Sequence, residues 1–316
     1  MTKLKMAKQS QTKKPKVWVV GGGKGGTGKT FVASSLGIYL SERRRKDVIL
    51  LDADLGGANL HSVFGLKQPK KSLNDFFEFN VPLEELRIET GIKSLSLVAG
   101  DIHSLSADNI RFTQKKKLFR HISQLNARYV LLDVGGGSHY NIIDTFLFAD
   151  KGIAVITPDI LAVENMYQFM KNVIYRKLRM TLRFYGFKGL AQDTWTKREM
   201  YKISNIRELL DFFKHFPETK DIVHEAFSEF KIYLILNKVR SMQDIHLGAS
   251  IKSTFQKYLG MDTQYVGFLE YDDSIWKSTR QQKPFLVHHT ESRFATEIEL
   301  FTENLLRENE VNLWEE

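Results

Sequence analysis

The sequence predicts a doubly wound α/β fold, a mostly parallel sheet flanked by helices, and three observations carry that expectation. Short runs of Val, Ile and Leu alternate with helix-like stretches along most of the chain. Several of these runs are continuously apolar, which suits strands buried on both faces of a parallel sheet. Segments rich in glycine and aspartate follow directly after three of them, where open α/β sheets gather their ligands.

In chain order, the start "MTKLKMAKQSQTKKPK" carries lysines and no acids, and reads as a solvated, disordered tail over residues 1–16. One domain is expected from residue 17 to 316. The strands in order are "VWVV", "DVILLDAD", "SLSLVAG", "YVLLDVGGG", "KGIAVITPD", "KIYLILNKV" and "TQYVGFLE". The rhythm breaks between about residues 180 and 230, where no strand pattern appears. There Ile206, Leu209, Leu210, Phe213 and Phe216 recur at helical spacing, so a helical insertion with its own apolar face is expected. "LVHHTES" reads as a strand, which would turn its two adjacent histidines to opposite faces and argues against a shared metal site.

Composition narrows the function. The 316 residues include no cysteine, which excludes thiolate metal sites and cysteine-held iron–sulfur clusters. No apolar run approaches the roughly 20 residues needed to cross a bilayer, and no secretory segment follows the lysine-rich start. A cytoplasmic protein is expected. The net charge of +9 favours an acidic partner without naming it.

The chemistry concentrates at "GKGGTGKT", Gly23 to Thr30, which satisfies G-x-x-x-x-G-K-[ST] between a strand and a helix. Gly23, Gly25, Gly26 and Gly28 would let the backbone N–H groups of the loop, with those of Thr27 and Phe31, point at phosphate oxygens. Lys29 would reach the β and γ phosphates, and the Thr30 hydroxyl would ligate Mg²⁺. The pattern predicts a nucleoside triphosphate there. Asp52 and Asp54 end one strand beside this loop, and Asp133 ends another in the Walker B position.

"KGGTGKT" resembles the deviant Walker A motif of the MinD/ParA family, and the resemblance extends from about Val17 to Phe301, excluding the insertion. By it, Lys24 is a signature lysine that crosses an ATP-dependent homodimer to the partner's nucleotide. "VILLDADLGGANLHSVFGL" resembles the family's second motif. The resemblance implies that Asp54 positions the attacking water, with Asp52 and Asp133 supporting magnesium. "VITPDILAVENMYQFMKNV" resembles the segment that reads nucleotide state and partners, and Asn237 in "LILNKV" stands where relatives contact adenine. A strand-end capping asparagine is the alternative for Asn237. "VGFLEYDDSIWKSTRQQKPF" resembles the flagellar-number regulators of the FlhG type, although Glu270 stands where proline is usual.

The resemblance implies a slow ATPase acting as a dimerisation switch in spatial organisation, with a regulatory protein partner. The surface it serves would be DNA or an anionic membrane. The acidic end "EIELFTENLLRENEVNLWEE" fits a membrane-binding helix poorly, and Ile298, Phe301, Leu305 and Leu306 are expected to pack on the domain. A ParA-like partition ATPase is one rival, with Arg176, Arg179 and Arg183 as a phosphate-binding stripe. An ATP-dependent amide-forming synthetase of the same fold is another, for which no second substrate pocket is legible.

Overall fold

The computed structural model describes residues 14–54, 57–100 and 111–311. Most of the basic start, Leu55 and Gly56 of the aspartate segment, and residues 312–316 lie outside the described residues.

Eight strands among the described residues form one sheet. They are β1 (Lys16–Gly22), β2 (Val48–Asp52), β3 (Arg87–Glu89), β4 (Leu95–Val98), β5 (Tyr129–Gly136), β6 (Lys151–Ile156), β7 (Lys231–Val239) and β8 (Asp262–Glu270). Their order is β3-β4-β2-β5-β1-β6-β7-β8, parallel throughout except for β3, which pairs antiparallel with β4 at the edge. The seven strands from "VWVV" to "TQYVGFLE" are present. β3 is the addition, too short and too polar to read as a strand.

Alternation along each strand divides the core into two layers. Val17 and Val19 of β1 and Ile49 and Leu51 of β2 face one layer, while Trp18, Val20, Val48 and Leu50 face the other. The second layer is closed by α1 (Lys29–Ile38), α2 (Leu60–Val63), α12 (Phe285–His288) and α13 (Arg293–Arg307). The first is closed by α3 (Leu73–Glu78), α4 (Phe112–Ile122), α5 (Tyr140–Phe148), α6 (Ile160–Phe184) and α10 (Met242–Leu259). α11 (Asp273–Arg280) follows β8. Each fully buried Leu, Ile or Phe in these layers contributes about 1.5–3 kcal/mol, so the two faces of the sheet hold most of the stability.

The interval expected as an insertion holds α7 (Leu190–Thr196), α8 (Ile206–His215) and α9 (Lys220–Ser228). Asn205 caps α8 by accepting from the Glu208 N–H, and Ile206, Leu209, Leu210 and Phe213 are buried. Phe216, just beyond the helix, is half-exposed. The buried four join the main core through α6 and do not form a separate one.

"LVHHTES" is a correction: its first residues belong to the short helix α12, not to a strand. Pro284 fixes the helix start, and His289 stacks on the Phe285 ring at 4.4 Å. Ile298, Phe301 and Leu305 of α13 are fully buried against β8, and Leu306 is half-buried, so this helix spends its apolar face on the sheet. Among the described residues no helix is long and apolar enough to cross a membrane.

Candidate functional site

β1 delivers the chain into the glycine loop at the carboxyl edge of the sheet, and α1 carries it away. Gly28 caps α1 with φ 92°, a left-handed conformation that side chains resist, and a Cβ there would meet the Asn237 amide nitrogen at 2.2 Å. Gly23 passes against the backbone of Asn165 in α6, while Gly25 and Gly26 face open space. The first-turn N–H groups of α1 have no partner within the helix and point into the loop, together with the positive end of the helix dipole.

Lys29 is buried, and its ammonium donates to the Lys24 carbonyl oxygen at 2.9 Å. Burial pulls its pKa below the usual lysine value, against the opposing pull of Asp133 and Asp54. The Lys24 side chain is partly exposed and turns away from the loop to Asp159, 3.3 Å distant. Asp159 is the N-cap of α6 and also accepts from the Thr157 hydroxyl at 2.5 Å. That hydroxyl, ahead of the Ala162 N–H and Lys24, holds the carboxyl below the usual range.

The parallel register sets Asp52 of β2 directly beside Asp133 of β5. Burial raises both carboxyls, Asp52 to about 7 and Asp133 to about 8, and Asp52 pushes Asp133 up further. The nearby Thr30 hydroxyl and Lys29 pull Asp133 the other way. One Asp133 oxygen, Oδ1, is buried with no hydrogen-bond partner, as is the Thr27 hydroxyl. An unpaired buried carboxylate oxygen near Thr30 and Lys29 fits a site that takes a hard cation and its oxygen ligands.

The two oxygens of Asp52 accept the backbone N–H groups of Asp54, at 3.2 Å, and of Leu60, at 2.9 Å. The structure therefore shows Asp52 holding the loop that carries Asp54. Asp54 itself lies against Gly135, where a Cβ would come within 2.7 Å of its Oδ1. Gly136 is as close to the backbone of Lys24 and Gly25. The ends of β1, β2 and β5 thus bring Lys29, Thr30, Asp54 and Asp133 together.

Asn237 donates to the Thr27 carbonyl at 2.8 Å, and its oxygen accepts the Lys238 N–H. It acts here as a bracket between β7 and the loop, with one amide hydrogen uncommitted. Lys238 was not singled out by sequence, yet its ammonium donates to the Gly26 carbonyl at 2.9 Å. Asp159 was also missed, since its pairing with Lys24 spans 135 residues. The Phe31 ring packs on Phe294 at 5.0 Å, which leaves only its backbone for the loop.

Known proteins resemble this chain in sequence and fold. The family model of the CobQ/CobB/MinD/ParA nucleotide binding domain matches residues 18–285. A putative septum site-determining protein MinD of Tupiella akineta is 31% identical over 156 residues, 48% of this chain and 49% of that relative. The chain thus spans about half the length of that relative. The antiactivator FleN of Pseudomonas aeruginosa is 23% identical over 269 residues, covering 84% of this chain and 78% of its own. The septum site-determining protein MinD of Pyrococcus horikoshii, complexed with Mg-ADP, superposes with a TM-score of 0.58 at 21% identity, over 92% of this chain and 95% of that one.

Proposed function

The chain belongs to the CobQ/CobB/MinD/ParA nucleotide-binding family, and from that premise we propose that it is a Mg²⁺-dependent ATPase working as an ATP-dependent dimerisation switch. The observation that carries the reading is the meeting of Lys29, Thr30, Asp54 and Asp133 at the carboxyl ends of β1, β2 and β5. The Mg-ADP held by the Pyrococcus horikoshii relative supports the choice of ligand.

In this reading Lys29 exchanges the Lys24 carbonyl for the β and γ phosphates, joined by the first N–H groups of α1 and the loop. The Thr30 hydroxyl and Asp133 hold the metal site, and the unpaired Asp133 Oδ1 is the atom that makes the fit. Bound Mg²⁺ would neutralise phosphate charge. Asp54 orients the attacking water, and Asp52 keeps the Asp54 loop in place while supporting the metal's water shell. Lys24 leaves Asp159 and crosses to the nucleotide of a second copy, where it stabilises charge on the transferred phosphoryl group. The uncommitted amide hydrogen of Asn237 remains for the adenine edge.

ATP shifts such a switch only if it binds the dimer more tightly than the monomer. The dimer would serve spatial organisation, in cell division or in flagellar placement or number, and would answer to a regulatory partner. The FleN match over most of the chain favours the flagellar branch. The test is the mass of the Asp54→Ala variant by light scattering with ATP and Mg²⁺, with ADP, and without nucleotide. Doubling with ATP alone is expected; a variant that binds ATP and stays monomeric overturns the switch.

A further inference from the structure

The end of α6, the start of α4 and the stretch that leads into α7 enclose a groove of about 530 Å³. Among the described residues five cations line it, Lys116, Arg176, Arg179, Arg183 and Lys188, and no carboxylate does. Among the described residues only Arg176 of the five has a carboxylate partner, Asp144, which accepts from it at 2.7 and 3.0 Å and is shared with Lys115. Among the described residues the other four have no ion-pair partner. Apolar side chains supply the rest of the wall, including Leu182, Phe187 and Ala191, with Phe112, Met180 and Phe184 exposed at the mouth.

Unpaired cations around an apolar trough call for a ligand that is acidic and aliphatic at once. We infer that this groove docks an acidic amphipathic segment of a partner protein, with leucine- or phenylalanine-type side chains in the trough and carboxylates against Arg179, Arg183, Lys188 and Lys116. Nucleic acid offers phosphates but no aliphatic side chains, and among the described lining residues Gln192 is the only neutral polar side chain to meet a base edge. A bilayer is flat and meets a groove between helices only at its rim. The site also has a physical connection to the loop. Asp159, which holds Lys24, caps the start of α6, and Asp144 lies on α5, which follows the Gly135–Gly137 turn. Docking itself does not depend on the ATPase reading, so it is tested without nucleotide.

The probe is a fluorescein-labelled amphipathic helical peptide of glutamate and leucine, read by anisotropy on the full chain against the same peptide with lysine for glutamate. Duplex DNA and phosphatidylcholine–phosphatidylserine vesicles are titrated in parallel. The acidic peptide should bind at least about tenfold more tightly than the basic one. Arg183→Glu with Lys188→Glu should remove that preference, and Phe184→Ser should weaken binding while leaving the melting curve in place. Equal binding of the two peptides, or peptide binding indifferent to the charge reversal, overturns the inference. DNA or vesicle binding abolished by the reversal, with no peptide binding, overturns it in favour of that ligand.

Discussion

Lys29 donates its ammonium hydrogen to the carbonyl oxygen of Lys24 at 2.9 Å, so the glycine loop is closed on itself by the residue that would grip phosphate. The bond satisfies a buried charge until phosphate replaces the carbonyl. Lys29→Ala therefore removes both the loop's closing bond and its cation. Nucleotide affinity should fall by about a hundredfold or more, the scale of losing a preorganised charged donor. Calorimetric titration with ATP checks it, and parental affinity in the variant would remove Lys29 from the role.

Lys24 and Asp159 are both partly exposed, so their ion pair contributes little, within about 1 kcal/mol. Asp159→Asn keeps an N-cap oxygen for the Ala162 N–H but drops the charge that holds Lys24. The variant should melt near the parent, and its ATP-dependent dimer should be several-fold tighter because Lys24 starts free. Sedimentation across a concentration series reads this directly. An unchanged or weaker dimer would mean that the Asp159 contact does not compete with dimerisation.

Gly135 offers a way to move Asp54 without deleting it. A Cβ at that position would sit 2.7 Å from Asp54 Oδ1 and 3.0 Å from its Cγ, the end of a short side chain that can swing aside. Gly135→Ala should therefore fold normally and bind ATP while hydrolysing it about tenfold or more slowly, since small misplacements of a positioning group are costly. Steady-state turnover beside a binding titration separates the two. Parental turnover would show that the position of Asp54 does not control hydrolysis.

Much of this site was legible because its parts are local in sequence. The glycine loop lies between a strand and a helix within a short stretch, and Asp52, Asp54 and Asp133 each end an apolar run. What was missed depends on distant partners. Nothing near Asp144 announces that Lys115 and Arg176 converge on it, because α4, α5 and α6 meet only when the sheet forms. β3 has three residues and a partly exposed edge, so no period can be read in it. "LVHH" looked like a strand because four residues do not distinguish periods of 2 and 3.6, and Pro284 before it was the better signal.

Glu297 gives the fold a pH dependence away from the loop. It is buried on α13, accepts from the Glu270 N–H at 2.9 Å, and faces Glu270, Asp272 and Arg293. Burial first, then Glu270 and Asp272, lift its carboxyl from 4.5 to about 7, against the pull of the Glu270 N–H and of Arg293. A raised folded pKa means the native state holds the proton more tightly than the unfolded chain. This stabilisation is complete below about 4.5 and is lost as pH rises through about 7. Glu297→Gln, which keeps the acceptor, should be more stable than the parent at pH 8 by about 2 kcal/mol and little different at pH 4.5. Urea unfolding at both values tests it; parallel stability curves would show that Glu297 ionises normally.

Asn237 and Lys238, at the end of β7, grip consecutive carbonyls of the loop, Thr27 at 2.8 Å and Gly26 at 2.9 Å. Lys238 does so from a left-handed backbone, φ 62°, which costs a non-glycine residue about 1 kcal/mol. A strained residue that persists is being held by its contacts. Lys238→Gly relieves the strain and deletes the grip, so it should leave stability within about 1 kcal/mol of the parent while weakening nucleotide binding. Asn237→Ala strands a buried carbonyl and should cost about 1–3 kcal/mol as well as affinity. Thermal melts and ATP titrations of the pair distinguish loop positioning from general destabilisation. If Lys238→Gly bound ATP as tightly as the parent, the Gly26 contact would be a passive consequence of the fold, and β7 would hold the loop through Asn237 alone.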